Sequence, residues 1–158
     1  MDRPLLHAAG RAAARRCLSG ARLAEVHGVP GPYLTKHLQA LTGAGVLESV
    51  PGRRGGYRLA RSPADITVLE VVEAVDGPEP PFRCTEIRRR GPAGGLPARN
   101  YPKPCEIHVL MDRADAAWRA ELAATTIGDL ATHVARTTSP KAAANAATWY
   151  QSITGGTR

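Results

Sequence analysis

In the first half of the chain the apolar positions keep a helical period, break into a short alternation, and return to a helical period. Ser19 stands before Leu23, Ala24 and Val26, which predicts a capped helix over Ala21–His27. Gly28-Val29-Pro30-Gly31 then supplies a turn, and Pro32 suits the first position of the next helix. Leu34, Leu38 and Leu41 recur on one face of that helix, which leaves Thr35, Lys36 and Gln39 on the other. Gly43-Ala44-Gly45 ends it near Thr42. Two strands follow, Val46–Val50 and Tyr57–Ala60, joined through the basic tip Gly52-Arg53-Arg54-Gly55-Gly56. Thr67 caps a further helix through Val68, Leu69, Val71, Val72 and Val75, closed by Asp76-Gly77. Upstream of all this, residues 4–16 mix alanine with arginine and suit a first helix despite Gly10.

The second half is organised differently. Residues 78–106 hold seven prolines and no helical period. A connection of that length inside a compact domain points to function or to disorder. Ile107, Leu110, Met111, Ala114, Trp118 and Leu122 then form one stripe of an amphipathic helix. Such a stripe is either a dimer seam or an intramolecular packing face. A shorter helix is expected over Ala124–Val134. The segment 136–158 is expected to be a flexible tail, although Ser139-Pro140 can start a brief helix reaching Tyr150. The predicted class is mainly α with a small β-hairpin wing, a winged helix-turn-helix plus a long dimerisation helix. It divides into a DNA-binding unit (1–77), a cysteine-containing loop (78–106), the dimerisation and C-terminal helices (107–135) and the tail (136–158).

Charge sharpens the first unit. The net charge is +7, and residues 1–61 carry ten Lys and Arg against three Asp and Glu, whereas residues 62–158 carry eleven of each. All the excess lies with the hairpin, so an anionic partner should dock there, and duplex DNA is the usual reason. Tyr33, Thr35, Lys36 and Gln39 are the candidates for the major groove. Arg53, Arg54 and Arg58, with Tyr57 beside them, are the candidates for phosphates or the minor groove. No apolar run approaches membrane-span length and no signal-peptide core is visible, so a soluble, cytoplasmic protein is expected.

Three cysteines without a signal sequence argue against a disulfide scaffold. Cys17 reads as a plain, partly buried thiol. Cys84 and Cys105 both fall in the irregular segment, 21 residues apart, beside Arg83 and Lys103. A neighbouring cation favours thiolate, the form that binds metal or meets an oxidant. Without a Cys-x-x-Cys pair a structural zinc finger is disfavoured, and zinc or a [2Fe–2S] cluster would need two more ligands. Metal ligation, a redox disulfide and ordinary loop thiols all remain open on spacing alone. No base, oxyanion site or phosphate loop accompanies either cysteine, so no enzyme is expected.

Four stretches carry a specific resemblance. Tyr33-Leu34-Thr35-Lys36-His37-Leu38-Gln39-Ala40-Leu41, Gly45-Val46-Leu47, Gly55-Gly56-Tyr57-Arg58-Leu59-Ala60 and Ile66-Thr67-Val68-Leu69-Glu70-Val71-Val72-Glu73-Ala74-Val75-Asp76-Gly77 resemble the Rrf-two family of winged-helix transcriptional regulators, the family of IscR and NsrR. The resemblance covers roughly residues 19–135. It implies a homodimer, held by the long helix, that binds a palindromic operator through the helix at 33–41 and the wing. Family sensors commonly use three cysteines in the loop, and this chain has two there. Cys84-Thr85-Glu86-Ile87-Arg88 and Lys103-Pro104-Cys105-Glu106-Ile107 are similar to the two-cysteine, redox-sensing RsrR subgroup. That likeness implies a [2Fe–2S] cluster held by Cys84 and Cys105 of one subunit and by a histidine and an acidic residue of the other. The matching positions are His27 and Asp2, with His7 as the alternative to Asp2. The regulator implied is a repressor, with a cluster-free thiol switch or small-molecule response as the other reading.

Overall fold

The computed structural model describes residues 17–52 and 55–154. The helix expected over residues 4–16 lies outside them, as do Asp2, His7, Arg53 and Arg54.

Helix α1 spans Gly20–His27, and the Ser19 hydroxyl accepts the Arg22 N–H at 3.3 Å. Gly28 ends it in the left-handed conformation (φ 61°), where a side chain would be strained. Helix α2, Gly31–Gly43, follows after only Val29 and Pro30, so Pro32 sits one position deeper than the sequence suggested. Its Leu38 is buried, Leu34 and Leu41 are half-buried, and Thr35, Lys36 and Gln39 are exposed, as the period requires.

Strands β1 (Leu47–Val50) and β2 (Gly56–Leu59) pair antiparallel, with Glu48 opposite Arg58 and Ser49 opposite Tyr57. The wing is anchored on its other side as well. Leu18 and Tyr57 exchange backbone hydrogen bonds at 3.0 and 2.9 Å, so the chain entering α1 lies against β2. Val46, expected in the first strand, is instead a buried hinge: its N–H returns to the Leu41 carbonyl and its carbonyl accepts the Ala60 N–H.

Helix α3 (Val68–Asp76) starts with a capping box in which the Thr67 and Glu70 side chains serve each other's backbone N–H groups. It packs against α2 on one side and against helix α4, Glu106–Ala124, on the other. Helix α5 (Ile127–Thr137) begins with a second capping box, Thr126 with Asp129, three residues later than the expected Ala124. The two capping threonines form an antiparallel bridge, with Val68 N–H on the Thr125 carbonyl and Ile127 N–H on the Ile66 carbonyl. Ile66, with no accessible surface, sits at the centre of this junction. Of the two readings of the last segment, the structure has a helix, α6, over Pro140–Thr154.

Both boxes depress a carboxyl. Glu70 is lowered by the Thr67 N–H and then by Arg61, and Asp129 by the Thr126 hydroxyl and N–H. A depressed carboxyl contributes stability above its unfolded value, about 4, and loses it as pH falls through the lower folded value. Acid titration of unfolding should therefore show a loss of stability below about pH 4. The pair Glu70→Gln and Asp129→Asn should flatten that limb.

Candidate DNA interface and cysteine loop

The α1–turn–α2 unit presents Tyr33, Thr35, Lys36 and Gln39 together on the outer face of α2, all exposed. The Thr35 hydroxyl donates to the Gly31 carbonyl at 2.9 Å, which fixes its rotamer and leaves its lone pairs outward. The Tyr33 ring stands edge-on to His37, centroids 4.4 Å apart. Lys36 and Gln39 make no hydrogen bond or ion pair among the described residues, so both remain available to a partner. In the wing, Tyr57 is half-buried and its backbone is committed to Leu18. Arg58 donates through Nε to the Glu48 carboxylate directly across the hairpin, which raises its already high pKa further. Its guanidinium thus reaches any phosphate only alongside, or in exchange for, Glu48.

The loop from Gly77 to Cys105 is organised by Arg88. Three short 3-10 turns, Ile87–Arg89, Gly91–Ala93 and Ala98–Asn100, give it shape. Arg88 donates to both Glu86 carboxylate oxygens at 2.6 and 2.8 Å and to the Lys103 carbonyl at 3.1 Å. It also lies 5.4 Å from the centre of the Tyr101 ring, whose hydroxyl donates back to the Arg88 carbonyl. Glu86 is two residues past Cys84 and Lys103 two before Cys105, so one guanidinium joins the two cysteine arms. Its hydrogen bond to Glu86 raises its own pKa further and holds the Glu86 carboxyl below its usual range.

Glu86 takes the left-handed conformation at φ 50°, the single non-glycine residue to do so among those described. That costs about 1–2 kcal/mol of backbone strain. The bend aims the Glu86 N–H at the Cys84 Sγ, 3.4 Å away. Cys84 is half-buried, and Cys105 is buried at the N-cap of α4. The sequence placed Arg83 and Lys103 as the cations beside these thiols. Arg83 instead reaches Glu79 at 3.3 Å and Lys103 contributes only its carbonyl, while Arg88 is the cation that ties the two cysteine arms together.

The implied ligands are not gathered within one chain. Among the described residues no group of three or more His, Cys, Asp or Glu side chains is placed to hold a metal ion. His27 is exposed at the end of α1, and Asp2 and His7 fall outside the described residues. His108, one turn into α4, lies 3.4 Å from Asp112.

Comparison with known proteins places this geometry. The family described as "Rrf2: Iron-dependent Transcriptional regulator" matches residues 5–133, most of the chain. The chain belongs to the Rrf2 family. A putative HTH-type transcriptional regulator of Aquifex aeolicus is 29% identical over 115 residues, 68% of this chain and 71% of that protein. Another from Mycobacterium tuberculosis, Rv1287, is 34% identical over 110 residues, 69% of this chain and 63% of its own length. The rrf2-like regulator of Rhodobacter capsulatus is 42% identical over 57 residues, only 36% of this chain and 38% of that one. Among solved structures, T. potens IscR superposes with a TM-score of 0.59 at 20% identity, covering 85% and 81% of the two chains. The B. subtilis cysteine regulator CymR does so at 0.56 and 22%, covering 82% and 88%. At those identities the likeness is one of fold, and it confirms the winged-helix architecture. This Rrf2 chain is a transcriptional regulator, not an enzyme. No helix among the described residues is long and apolar enough to cross a membrane.

Proposed function

We propose that this Rrf2 chain is a homodimeric, DNA-binding repressor whose affinity for a palindromic operator is set by a [2Fe–2S] cluster. Cys84 and Cys105 would hold one side of the cluster, and His27 with Asp2 (or His7) of the partner subunit the other. The observation that carries this reading is the Arg88 clasp. It joins the two loop arms that carry Cys84 and Cys105, with a backbone N–H already on Cys84, and leaves the remaining donors to come from elsewhere. A thiolate pair is soft enough for iron, and a nearby cation offsets the negative charge of such a site. When bound, the cluster supplies a one-electron redox couple.

The chain's own residues supply the readout. His27 ends α1 one residue before the turn into α2, so a bond made or lost at His27 pulls on the helix that carries Tyr33, Thr35, Lys36 and Gln39. A bias of about 1–3 kcal/mol between two arrangements of the dimer changes operator affinity roughly 5- to 150-fold. Arg53, Arg54, Tyr57 and Arg58 would add wing contacts. Replacing Arg53 and Arg54 by alanine should weaken binding to every sequence alike and flatten the salt dependence by about 0.9 log unit per lost phosphate contact. An unchanged salt slope would remove the wing tip from the interface.

Anaerobic isolation tests the cluster. Wild-type protein should be coloured and carry about two irons with matching acid-labile sulfide per chain. Cys84→Ala and His27→Ala should both lose them. Colourless protein after reconstitution would instead favour a thiol switch, a reading supported by the same joining of Cys84 and Cys105 around Arg88 without a third ligand among the described residues.

A further inference from the structure

A cavity of about 580 Å³ lies between α3, the start of the loop and α4. That volume is within the range of small-molecule sites. Its apolar surface comes from Val72, Phe82, Met111 and Trp118. Its polar surface is acidic: Glu73, Asp76, Glu79, Asp112 and Asp115 line it against a single cation, Arg119.

That cation is already spent. Arg119 donates to Glu73, to the Pro78 carbonyl and to Asp115 Oδ2 at 3.1 Å, which ties α3, α4 and the loop together. The other oxygen, Asp115 Oδ1, is buried with no hydrogen-bond partner. Asp76 has no ion pair among the described residues, Glu79 is paired with Arg83 outside the lining, and Asp112 meets only His108. The cavity therefore combines ring-sized apolar walls with more carboxylates than cations in its lining.

We propose that this cavity binds a small organic cation, a protonated amine on an apolar, ring-bearing body. The ring would lie among Phe82, Met111 and Trp118, and the ammonium would face Asp76 and the acidic rim. A neutral molecule forfeits the charge and an anion is repelled. The occupant would fix the spacing between α3, which packs on α2, and the loop that reaches Cys84 two residues beyond Phe82. This site is independent of the cluster reading and would stand if that reading failed.

The test uses the full chain in its native oligomeric state and three probes of one shape: naphthylmethylammonium, naphthylmethanol and naphthoate. Calorimetry should show saturable binding of the ammonium, one per chain, at least about tenfold tighter than the alcohol, with no binding of naphthoate. The rim variant Asp76→Asn with Glu79→Gln should lose about tenfold affinity for the ammonium and leave the alcohol unchanged. Binding should quench Trp118 emission, and Trp118→Phe should remove the quench while heat is still released. Equal affinity for the three probes, or indifference to the rim variant, would overturn the proposal. So would ammonium binding that fades as protein concentration rises, because a second copy would then be the occupant.

Discussion

Gly56→Ala is expected to cost roughly 3 kcal/mol or more, a fall of about 10 °C in the unfolding midpoint for a domain of this size. Gly56 sits at φ 145°, and a Cβ there would lie 2.4 Å from the Leu18 carbonyl oxygen and 2.9 Å from the Ser19 nitrogen. Those are backbone atoms that cannot rotate away. Relief requires parting Leu18 from Tyr57, and that pairing is what seats the wing against the start of α1. Gly45 is the control. It also has positive φ, 70°, but open space around its would-be Cβ, so Gly45→Ala should cost only the conformational penalty of about 1–2 kcal/mol. Thermal unfolding of the two variants checks the difference. Equal losses would show that the clash with Leu18 is relieved at little cost. Operator affinity should fall further in Gly56→Ala than stability alone explains, because the wing is displaced relative to α2.

The same contact marks a limit of sequence reading. The hairpin and the helix-turn-helix were legible because several residues repeat one period or one turn signal: Leu34, Leu38 and Leu41 for α2, the glycines for the wing. Leu18 pairs as a lone residue, and one residue carries no alternation. Ser19 and Thr67 were recognisable as caps, but the start of α5 was set three residues early. Alanines continue the apolar run through Ala124, whereas the helix begins at the Thr126-x-x-Asp129 box. Arg58 shows a different gap. Its basic character suggested a partner outside the chain, whereas the strand register puts Glu48 directly opposite it.

In the cysteine loop, composition located the two thiols but not what joins them. Arg88 reaches both arms only because Glu86 adopts a left-handed conformation that a glutamate rarely takes, followed at once by a 3-10 turn. Neither follows from local propensity. Adjacency along the chain therefore pointed to Arg83 and Lys103, while the fold selected a cation four residues past Cys84. The acidic cavity was hidden for a related reason: Glu73 on α3 and Asp115 on α4 are far apart in sequence and converge only around Arg119.

Leu110→Asp together with Ile107→Asp is expected to dissociate the proposed dimer and abolish its binding to a two-fold operator. The physical reason lies in exposure. Ile107 is 57% exposed and Leu110 61%, on one side of a 19-residue helix that buries none of its residues fully within the chain. Met111 and Leu122 are half-buried, so α4 uses a different edge for its own packing on α3. A second copy laid along the exposed edge would cover each Leu110 for about 2 kcal/mol, and two-fold symmetry counts every such residue twice. Two carboxylates introduced per chain at that seam must then be desolvated or leave, which should weaken association about a thousandfold or more. Sedimentation should show monomers at concentrations where wild type is dimeric. Because both side chains are exposed in the single chain, its helicity and its unfolding midpoint extrapolated to low concentration should be nearly unchanged. The monomer should retain weak, salt-sensitive binding to one half-site through α2 and the wing. A dimeric double variant would place the seam elsewhere and return the stripe on α4 to an ordinary solvated face.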